Sequence, residues 1–351
     1  MRNRSIIIIV TIWIIATICL NACSSTLSPT PTPRETPAIV ESATATSSPA
    51  PSVELTYWLW NDFQMPAYQA CATEFTRQHP NIKVKFQWYA WVPYWDALNA
   101  AFKAGNAPDV FTNHLTMYPD LLQQGRIMDI GPYVKRDNVD TNQYIAGLAD
   151  LWVKEGKRYG FPKDWDAIGI YYNLNIFKKA GIDPSIMNSW TWNPDDGGTF
   201  QQTIARLTLD NKGRNGLDPN FDKTNVMQWG LISNAGDGTT GGQTQWAAWA
   251  ASTGFVLTDG PWSTHYHYDD PRLIKTVQWW ANLNLLYGYA PGAKYFPADG
   301  SGLDRENLFL SGRGAMLIHG SWHINDVAMA GKIPVGIGKL PAGPEGIKTP
   351  T

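Results

Sequence analysis

Three segments early in the chain have patterns of apolar residues that are typical of β-strands. Residues 53–59 predict a strand, and residues 110–112 predict a short buried strand. Residues 82–88 alternate apolar and polar side chains, which predicts a strand with one buried face. Helical patterns lie between these strands, and a further helix ends at Gly125. This β-α-β-α-β-α order predicts an open, mostly parallel sheet.

Two helices are predicted between the strands. Asn61 or Asp62 is placed to cap the first of them. Its inner face is predicted to carry Tyr68, Cys71, Ala72 and Phe75. The second helix covers residues 93–104, turns Trp95 inward and ends at Gly105.

A second α/β pattern begins near residue 159. Asp259-Gly260 lies between two β-like runs and predicts a hairpin turn. Strands are predicted over residues 167–173 and 314–318, and helices over 200–207, 245–252, 271–287 and 305–310, with another starting at Ser321. We find no internal repeat in the sequence.

The N-terminus has the features of an export signal. Arg2 and Arg4 precede fifteen mostly apolar residues, 6–20, a run that is short for a membrane-spanning helix. The following letters, LNAC at 20–23, resemble a bacterial lipobox, in which the cysteine is lipidated and becomes the first mature residue. We therefore predict a signal peptide over 1–22 and a lipid on Cys23. The alternative is an ordinary secretory signal with a chance cysteine.

Residues 23–52 are predicted to form a disordered tether. Of the 29 residues from 24 to 52, 23 are Pro, Ser, Thr or Ala, so this segment cannot bury enough apolar surface to fold. The protein is then expected to be extracytoplasmic and lipid-anchored to the cell membrane. Cys71 is the only cysteine left in the mature domain, so no intrachain disulfide is available.

Composition narrows the classes of function. About 300 residues follow the tether, enough for two domains. A net charge of −2 without a basic block argues against nucleic acid as a partner. The 17 tryptophans and 15 tyrosines suggest that some aromatic rings line a ligand surface, although most tryptophans should lie in the core. A G-x-G-x-x-G match at 236–241 is weak, and we expect no cofactor.

Four stretches carry a resemblance to a known family. They are APDVF at 107–111 with LLQQGRIMDI at 121–130, YGFP at 159–162 with GIYYNLNIFKKAGI at 169–182, WTW at 190–192, and LFLSGRGAM at 308–316 with GSW at 320–322. In order and spacing they resemble the family-1 extracellular solute-binding proteins, the maltose-binding-protein-like group. The resemblance implies the α/β, two-lobed periplasmic-binding-protein fold, with a hinge and a ligand cleft between the lobes.

The resemblance also implies domain bounds and partners. The first lobe would cover residues 53–162 and the second 163–338, and residues 339–351 would return toward the first lobe, apparently truncated there. The protein would be a monomer that delivers a carbohydrate to the transmembrane permease of an ABC importer.

Candidate ligand contacts follow strands, because sites in α/β folds lie beyond the carboxyl ends of strands. A sugar needs flat aromatic rings for its C–H face and paired hydrogen-bonding groups for its hydroxyls. The candidates are Trp60, Asn61, Asp62, Asn113, Trp165, Asp166, Trp246 and Trp322. The resemblance singles out Trp322 as a stacking aromatic and Asp166 as the acidic residue at the hinge, with Asp164 as its alternative.

Two other functions stay open at this point. A lipid-anchored glycoside hydrolase would need two carboxylates flanking the bond, and Asp164, Asp166, Asp299 and Glu306 are candidates without a motif. A receptor for a peptide or polyamine is the other alternative. His265 and His267 are half of a possible metal site, but no cysteine or third histidine lies near them in sequence, so we expect no metal.

Overall fold

A computed structural model describes residues 51–233, 241–260, 262–292, 295–296 and 305–348. The strands are β1 (Val53–Leu59), β2 (Ile82–Trp88), β3 (Val110–Phe111), β4 (Val153–Lys154), β5 (Lys157–Arg158), β6 (Ile168–Asn173), β7 (Leu209–Asp210), β8 (Val226–Ile232), β9 (Gly314–Gly320) and β10 (Val335–Gly338). The α-helices are α1 (Met65–Gln78), α2 (Trp91–Ala104), α3 (Tyr118–Gln123), α4 (Gly131–Arg136), α5 (Leu174–Lys179), α6 (Gly198–Leu207), α7 (Ala247–Ala251), α8 (Pro271–Leu285), α9 (Arg305–Leu308) and α10 (Ile324–Val327). Within these residues no helix has the length and apolar character needed to cross a bilayer.

The first sheet is parallel, as the sequence predicts. Its strand order is β2-β1-β3, and β1 pairs with β2 over all seven residues, from Val53 opposite Ile82 onward. Helix α2 buries Tyr94, Trp95 and Leu98 beside this sheet. The helix ends at Gly105, whose φ of 71° is a left-handed conformation that glycine adopts without steric cost.

Helix α1 differs from the prediction. It forms at the expected place, but none of its residues is buried, and Phe75 remains 37% exposed. Tyr68 alone of the predicted face packs on aromatic rings of the sheet, with ring centroids 5.4 Å from Tyr57 and 6.1 Å from Phe86. The helix therefore rests on the sheet through Tyr68, and Cys71, one turn further on, is exposed.

The second sheet is mixed and holds the main core. Its order is β10-β6-β9-β8-β7, with β6 antiparallel to both neighbours and β8 parallel to β9. All seven residues of β9 are buried because helices cover the sheet. The two sheets with their helices confirm the predicted α/β class.

Tryptophans form the centre of this core. The ring of Trp249 lies 5.2 Å from Trp192, 5.3 Å from Phe200 and 5.5 Å from Trp279, centroid to centroid. The buried tryptophans are Trp95, Trp190, Trp192, Trp229, Trp249 and Trp279. Large rings thus supply much of the apolar surface that stabilises the second sheet.

Residues 340–346 pack beside the second sheet. Leu340 is part of the main core. The backbone N–H of Trp192 donates to the carbonyl of Ala342 at 2.8 Å, and the backbone N–H of Glu345 donates to the carbonyl of Ser252 at 2.8 Å. The sequence bounds of the two lobes remain a prediction.

Helix α6 packs closely against β8 at Gly230, which has no side chain to separate them. A Cβ on Gly230 would lie 2.0 Å from the carbonyl oxygen of Ile204, so Gly230→Ala must push the helix off the strand. We expect it to lower the free energy of unfolding by about 1–3 kcal/mol in urea denaturation. Gly260→Ala is the control, because a Cβ there meets nothing within 4 Å. Equal stability of the two variants would contradict this packing.

Candidate functional site

An aromatic cluster lies at the carboxyl edge of the first sheet. Trp60 follows β1, and its ring centroid is 4.9 Å from that of Trp91 and 5.2 Å from that of Tyr94. Trp91 in turn lies 5.4 Å from the ring of His114, which follows β3. Because β1 and β3 are parallel, their carboxyl ends meet at one edge, and the cluster links Trp60 to the segment that carries Asn113.

Asn61 and Asp62 continue from Trp60 into a short 3-10 helix, Asp62–Gln64. Asn61 stands at its N-cap position but makes no side-chain capping bond, and Gln64 holds the N-cap position of α1. The prediction that Asn61 or Asp62 caps α1 is therefore wrong. The 3-10 turn separates them from the helix.

The segment 163–166 connects the two sheets and is bound to the first one. Lys163 Nζ lies 5.8 Å from the Trp60 ring centroid and donates to Gln64 Oε1 at 2.5 Å. Gln64 Nε2 donates to Asp164 Oδ2 at 2.7 Å, and Lys163 pairs with the same carboxylate. Sequence reasoning did not find Gln64, because its partners lie about 100 residues away.

The end of the same segment is bound to the second sheet. Ser321, directly after β9, donates its hydroxyl to Asp166 Oδ1 at 2.5 Å and accepts from Ala167 N–H at 3.1 Å. Trp322 comes next, packs against the main core and meets the His319 ring edge-to-face at 5.7 Å. Ser321 thus holds Asp166 at one edge of the second sheet, and Trp322 is the next residue along the chain.

Trp322 has a close neighbour in Gly320. A Cβ at Gly320 would lie 2.0 Å from Trp322 Cζ3, so glycine leaves the room that the indole occupies.

Trp165, between the two acidic residues of the connecting segment, is 60% exposed. Segment 163–166 therefore has Trp60 at one end and Trp322 near the other.

The electrostatics of Asp166 differ from those of an ordinary surface carboxylate. Partial desolvation raises the pKa of Asp166 although its side chain is exposed, the hydrogen bond from Ser321 opposes this, and the charge on Asp164 adds to it. The net result is a raised pKa. Asp166 therefore keeps its proton to a higher pH than aspartate normally does.

Trp246 lies in a different part of the second lobe. Its ring is 6.4 Å from Phe255, and it packs on a small cluster with Ala250 and Leu273. A Cβ on Gly242 would lie 2.2 Å from Trp246 Cε2, so the indole covers that glycine. This packing joins Trp246 to the cluster, and not to the Trp60 or Trp322 groups.

Cys23, the predicted lipidation site, lies outside the described residues.

Glu306 is one of the carboxylates named for hydrolysis, and it pairs with His319. Burial raises the pKa of Glu306, but the hydrogen bond from His319, with Nε2 at 2.7 Å, outweighs it and lowers the pKa to about 2. A general acid needs a raised pKa, so Glu306 does not suit that role. Asp164 is held by Lys163 and Gln64, and Asp299 lies outside the described residues.

Comparison with known proteins identifies the fold. An arabinooligosaccharide-binding protein of Bacillus subtilis (strain 168) is 26% identical over 172 residues, which are 48% of this chain and 38% of that protein. A protein solved with mannotriose bound superimposes with a TM-score of 0.64 at 26% identity, covering 85% of this chain and 70% of that one. An ABC substrate-binding protein of Listeria monocytogenes, solved with cycloalternan, gives a TM-score of 0.68 at 21% identity, over 86% of this chain and 72% of that one.

These neighbours confirm the predicted two-lobed architecture. The sequence itself matches the bacterial extracellular solute-binding protein profile over residues 62–350. Because this match covers most of the chain, the protein belongs to the bacterial extracellular solute-binding protein family.

Proposed function

We propose that the protein is the receptor of an ABC importer and that it binds a carbohydrate between its two lobes without transforming it. One observation carries this proposal. Segment 163–166 contacts the aromatic cluster around Trp60 through Lys163, and its other end is hydrogen-bonded to Ser321, next to Trp322. The segment carries two carboxylates, Asp164 and Asp166. Aromatic rings on both sides of a polar segment match the two kinds of surface that a sugar presents.

Each group has a role in this proposal. Trp60 and Trp322 stack on C–H faces of the sugar, and Asp166 accepts hydrogen bonds from its hydroxyls. Asn61, Asp62 and Asn113 supply further polar contacts at the edge of the first sheet. Trp165 and Trp246 remain candidate contacts, with Trp165 the better placed because its ring is exposed.

The ligands of the relatives support the carbohydrate assignment. The relatives are named for, or were solved with, an arabinooligosaccharide, mannotriose and cycloalternan. Another solved neighbour was bound to α-D-tagatose, a monosaccharide. We therefore propose a mono- or oligosaccharide and test several classes, with a peptide and a polyamine as the alternatives.

The lobes would close on the ligand by a hinge. In this proposal the first lobe covers residues 53–162 and the second covers 163–338. Residues 340–346 pack beside the second sheet. The connecting segment 163–166 is hydrogen-bonded to Gln64, after β1, and to Ser321, after β9, so it is placed to bend or slide as the lobes move. The closed, monomeric form would then dock on the permease.

Anchoring is proposed through Cys23. The lipobox-like letters at 20–23 and the tether over 24–52 would hold the folded domain near the outer face of the cell membrane. We expect Cys23→Ser to abolish incorporation of labelled palmitate and to release the protein into the soluble extracytoplasmic fraction. Cys71→Ser is the matched control and should keep the label. Continued labelling of Cys23→Ser would contradict lipidation at this residue.

A thermal-shift screen tests the receptor function. Purified protein is heated with arabino-, manno- and malto-oligosaccharides, a peptide mixture and spermidine. A ligand at one hundred times its Kd should raise the free energy of unfolding by about 2.7 kcal/mol. We expect one sugar class to raise the melting temperature without release of new reducing ends. Hydrolysis would show an enzyme, and a shift with only the peptide or the polyamine would contradict the sugar assignment.

Asp166 gives the binding a predicted pH dependence. The ionised carboxylate accepts sugar hydroxyls, so affinity should fall as the pH drops through the raised pKa of Asp166, above the ordinary value of 3.8. Asp166→Asn should bind more weakly at neutral pH and lose this part of the pH profile. Titrations between pH 4 and 8 compare the two proteins. Identical profiles would exclude Asp166 from the site.

A further inference from the structure

A short hairpin in the second lobe brings three metal-binding side chains together. Thr258 pairs with Tyr266 in an antiparallel bridge, and His267 N–H donates to the carbonyl of Leu257 at 2.9 Å. In this register Asp259 stands opposite His265. Side chains alternate along a strand, so Asp259, His265 and His267 share the face opposite to Thr258 and Tyr266.

The donor atoms of this face converge on Asp259. Its Oδ2 lies 3.0 Å from His265 Nδ1, and its Oδ1 lies 2.8 Å from His267 Nε2. One donor atom from each of the three residues lies within 4.8 Å of the other two. Sequence reasoning dismissed His265 and His267 because no third ligand was visible, and the hairpin supplies it.

The tautomer of His267 suits a metal ligand. Its Nδ1 lies 2.9 Å from the carbonyl oxygen of Val256, which can only accept, so Nδ1 carries a proton. Nε2 lies 2.8 Å from Asp259 Oδ1, so without a metal it also carries a proton. A metal at Nε2 would displace that proton and leave the bond from Nδ1 to Val256 in place. A backbone carbonyl on one ring nitrogen is the usual way in which proteins orient a metal-binding histidine.

We propose that Asp259, His265 and His267 bind one divalent transition-metal ion of the zinc class. Two imidazoles and one carboxylate are donors that Zn²⁺ accepts, with a water in the fourth position. Zinc–ligand bonds of about 2.0–2.1 Å place tetrahedral donors roughly 3.3 Å apart. The present separations of 2.8 and 3.0 Å join the two nitrogens to different oxygens of Asp259, so the donors must rearrange within their 4.8 Å spread to surround one ion.

The surroundings allow an ion to enter. The side chain of Asp259 is 58% exposed and that of His265 is 71% exposed, so an ion from solution reaches the face directly. The side chain of His267 is only 24% exposed, and its ring is hydrogen-bonded to the carbonyl of Val256. His267 is therefore the rigid ligand of the site.

A second histidine cluster is less suited to a metal. His319 Nδ1 accepts the N–H of Gly320 at 2.9 Å, so the proton of the neutral ring sits on Nε2 and is donated to Glu306. A metal at Nε2 would force a proton onto Nδ1, against the Gly320 N–H. This cluster of Glu306, His319 and His323 therefore serves as the internal comparison.

Metal binding would act on a contact between the lobes. Trp262, in the loop of the hairpin, lies 5.0 Å from the Tyr118 ring of α3, and Lys154 Nζ of β4 is 4.5 Å from the Trp262 ring centroid. The hairpin therefore reaches from the second lobe to the first. An ion that links Asp259 to both histidines would fix the arms that hold Trp262.

Equilibrium dialysis of tag-free full-length protein against Zn²⁺, with bound metal counted by mass spectrometry, tests the site. We expect one Zn²⁺ per chain, and at least about tenfold weaker binding for each of His265→Gln, His267→Gln and Asp259→Asn. His79→Gln, a surface histidine of the first lobe, and His323→Gln, from the comparison cluster, should keep wild-type affinity. Mg²⁺ should not compete, since it prefers oxygen ligands.

Hydrogen exchange gives an independent readout of position. Zn²⁺ should slow exchange in residues 257–268 of the wild type and leave exchange in Asp259→Asn unchanged, while both proteins melt cooperatively. Retention of the bound Zn²⁺ by the His265, His267 and Asp259 variants would overturn the proposal. Loss of the ion in His323→Gln alone would move the site to the other cluster and overturn it equally.

Discussion

Trp322→Ala is expected to weaken oligosaccharide binding at least about thirtyfold, equivalent to about 2 kcal/mol, because it removes the stacking surface on the second lobe. The melting temperature without ligand should change less than for a core substitution, since the indole is only partly buried. Calorimetric titration of the variant with the sugar found in the thermal screen measures the loss.

Two control variants show whether the loss of affinity is specific to the ring of Trp322. Trp322→Phe keeps a ring and should recover part of the affinity. Tyr133→Ala, on the exposed surface of α4, removes an aromatic ring far from the connecting segment in sequence and should bind like the wild type. If Trp322→Ala bound as tightly as Tyr133→Ala, Trp322 would have no part in the site.

Trp249→Ala is expected to lower the free energy of unfolding by about 3–5 kcal/mol. Its side chain is buried among Trp192, Phe200 and Trp279, and the cavity left by the indole cannot be filled by these large, stiff rings. Guanidinium denaturation followed by circular dichroism gives the value.

Trp165→Ala is the stability control for this variant. Its indole is 60% exposed, so the substitution should change the free energy of unfolding by no more than about 0.5 kcal/mol. A large loss in Trp165→Ala, or a small one in Trp249→Ala, would mean that the two tryptophans do not have the environments described above.

Local patterns in the sequence predicted the strands well. β1 and β2 appear at the predicted residues, because alternation and apolar runs report directly on which side chains face a sheet. Gly105 likewise ends α2, since glycine adopts the left-handed conformation at a helix end.

The failures concern contacts between distant parts of the chain. The apolar face of α1 is not buried, because a periodic pattern shows which residues share a face but not what covers that face. The Gln64–Asp164 bond, the Ser321–Asp166 bond and the pairing of Asp259 with two histidines depend on how the chain folds back. No spacing rule in the sequence predicts such pairs.

The candidate site could be predicted only in part. The sequence predicts Trp322 and Asp166 near strand ends, and in the structure the hydroxyl of Ser321, the residue before Trp322, donates to Asp166. Trp246 was chosen on similar grounds and packs into a separate cluster, because a tryptophan at a helix start serves equally well as cover for a small core. Ligand contact by each of these residues stays a prediction.

The most direct test of sugar binding is calorimetric titration of the purified protein with arabino-, manno- and malto-oligosaccharides, with intact sugar recovered afterwards. We expect saturable binding of one sugar class at one site per chain, and loss of that binding in Trp322→Ala and Asp166→Asn. Absence of binding to every sugar, or cleavage of the sugar that binds, would contradict this expectation.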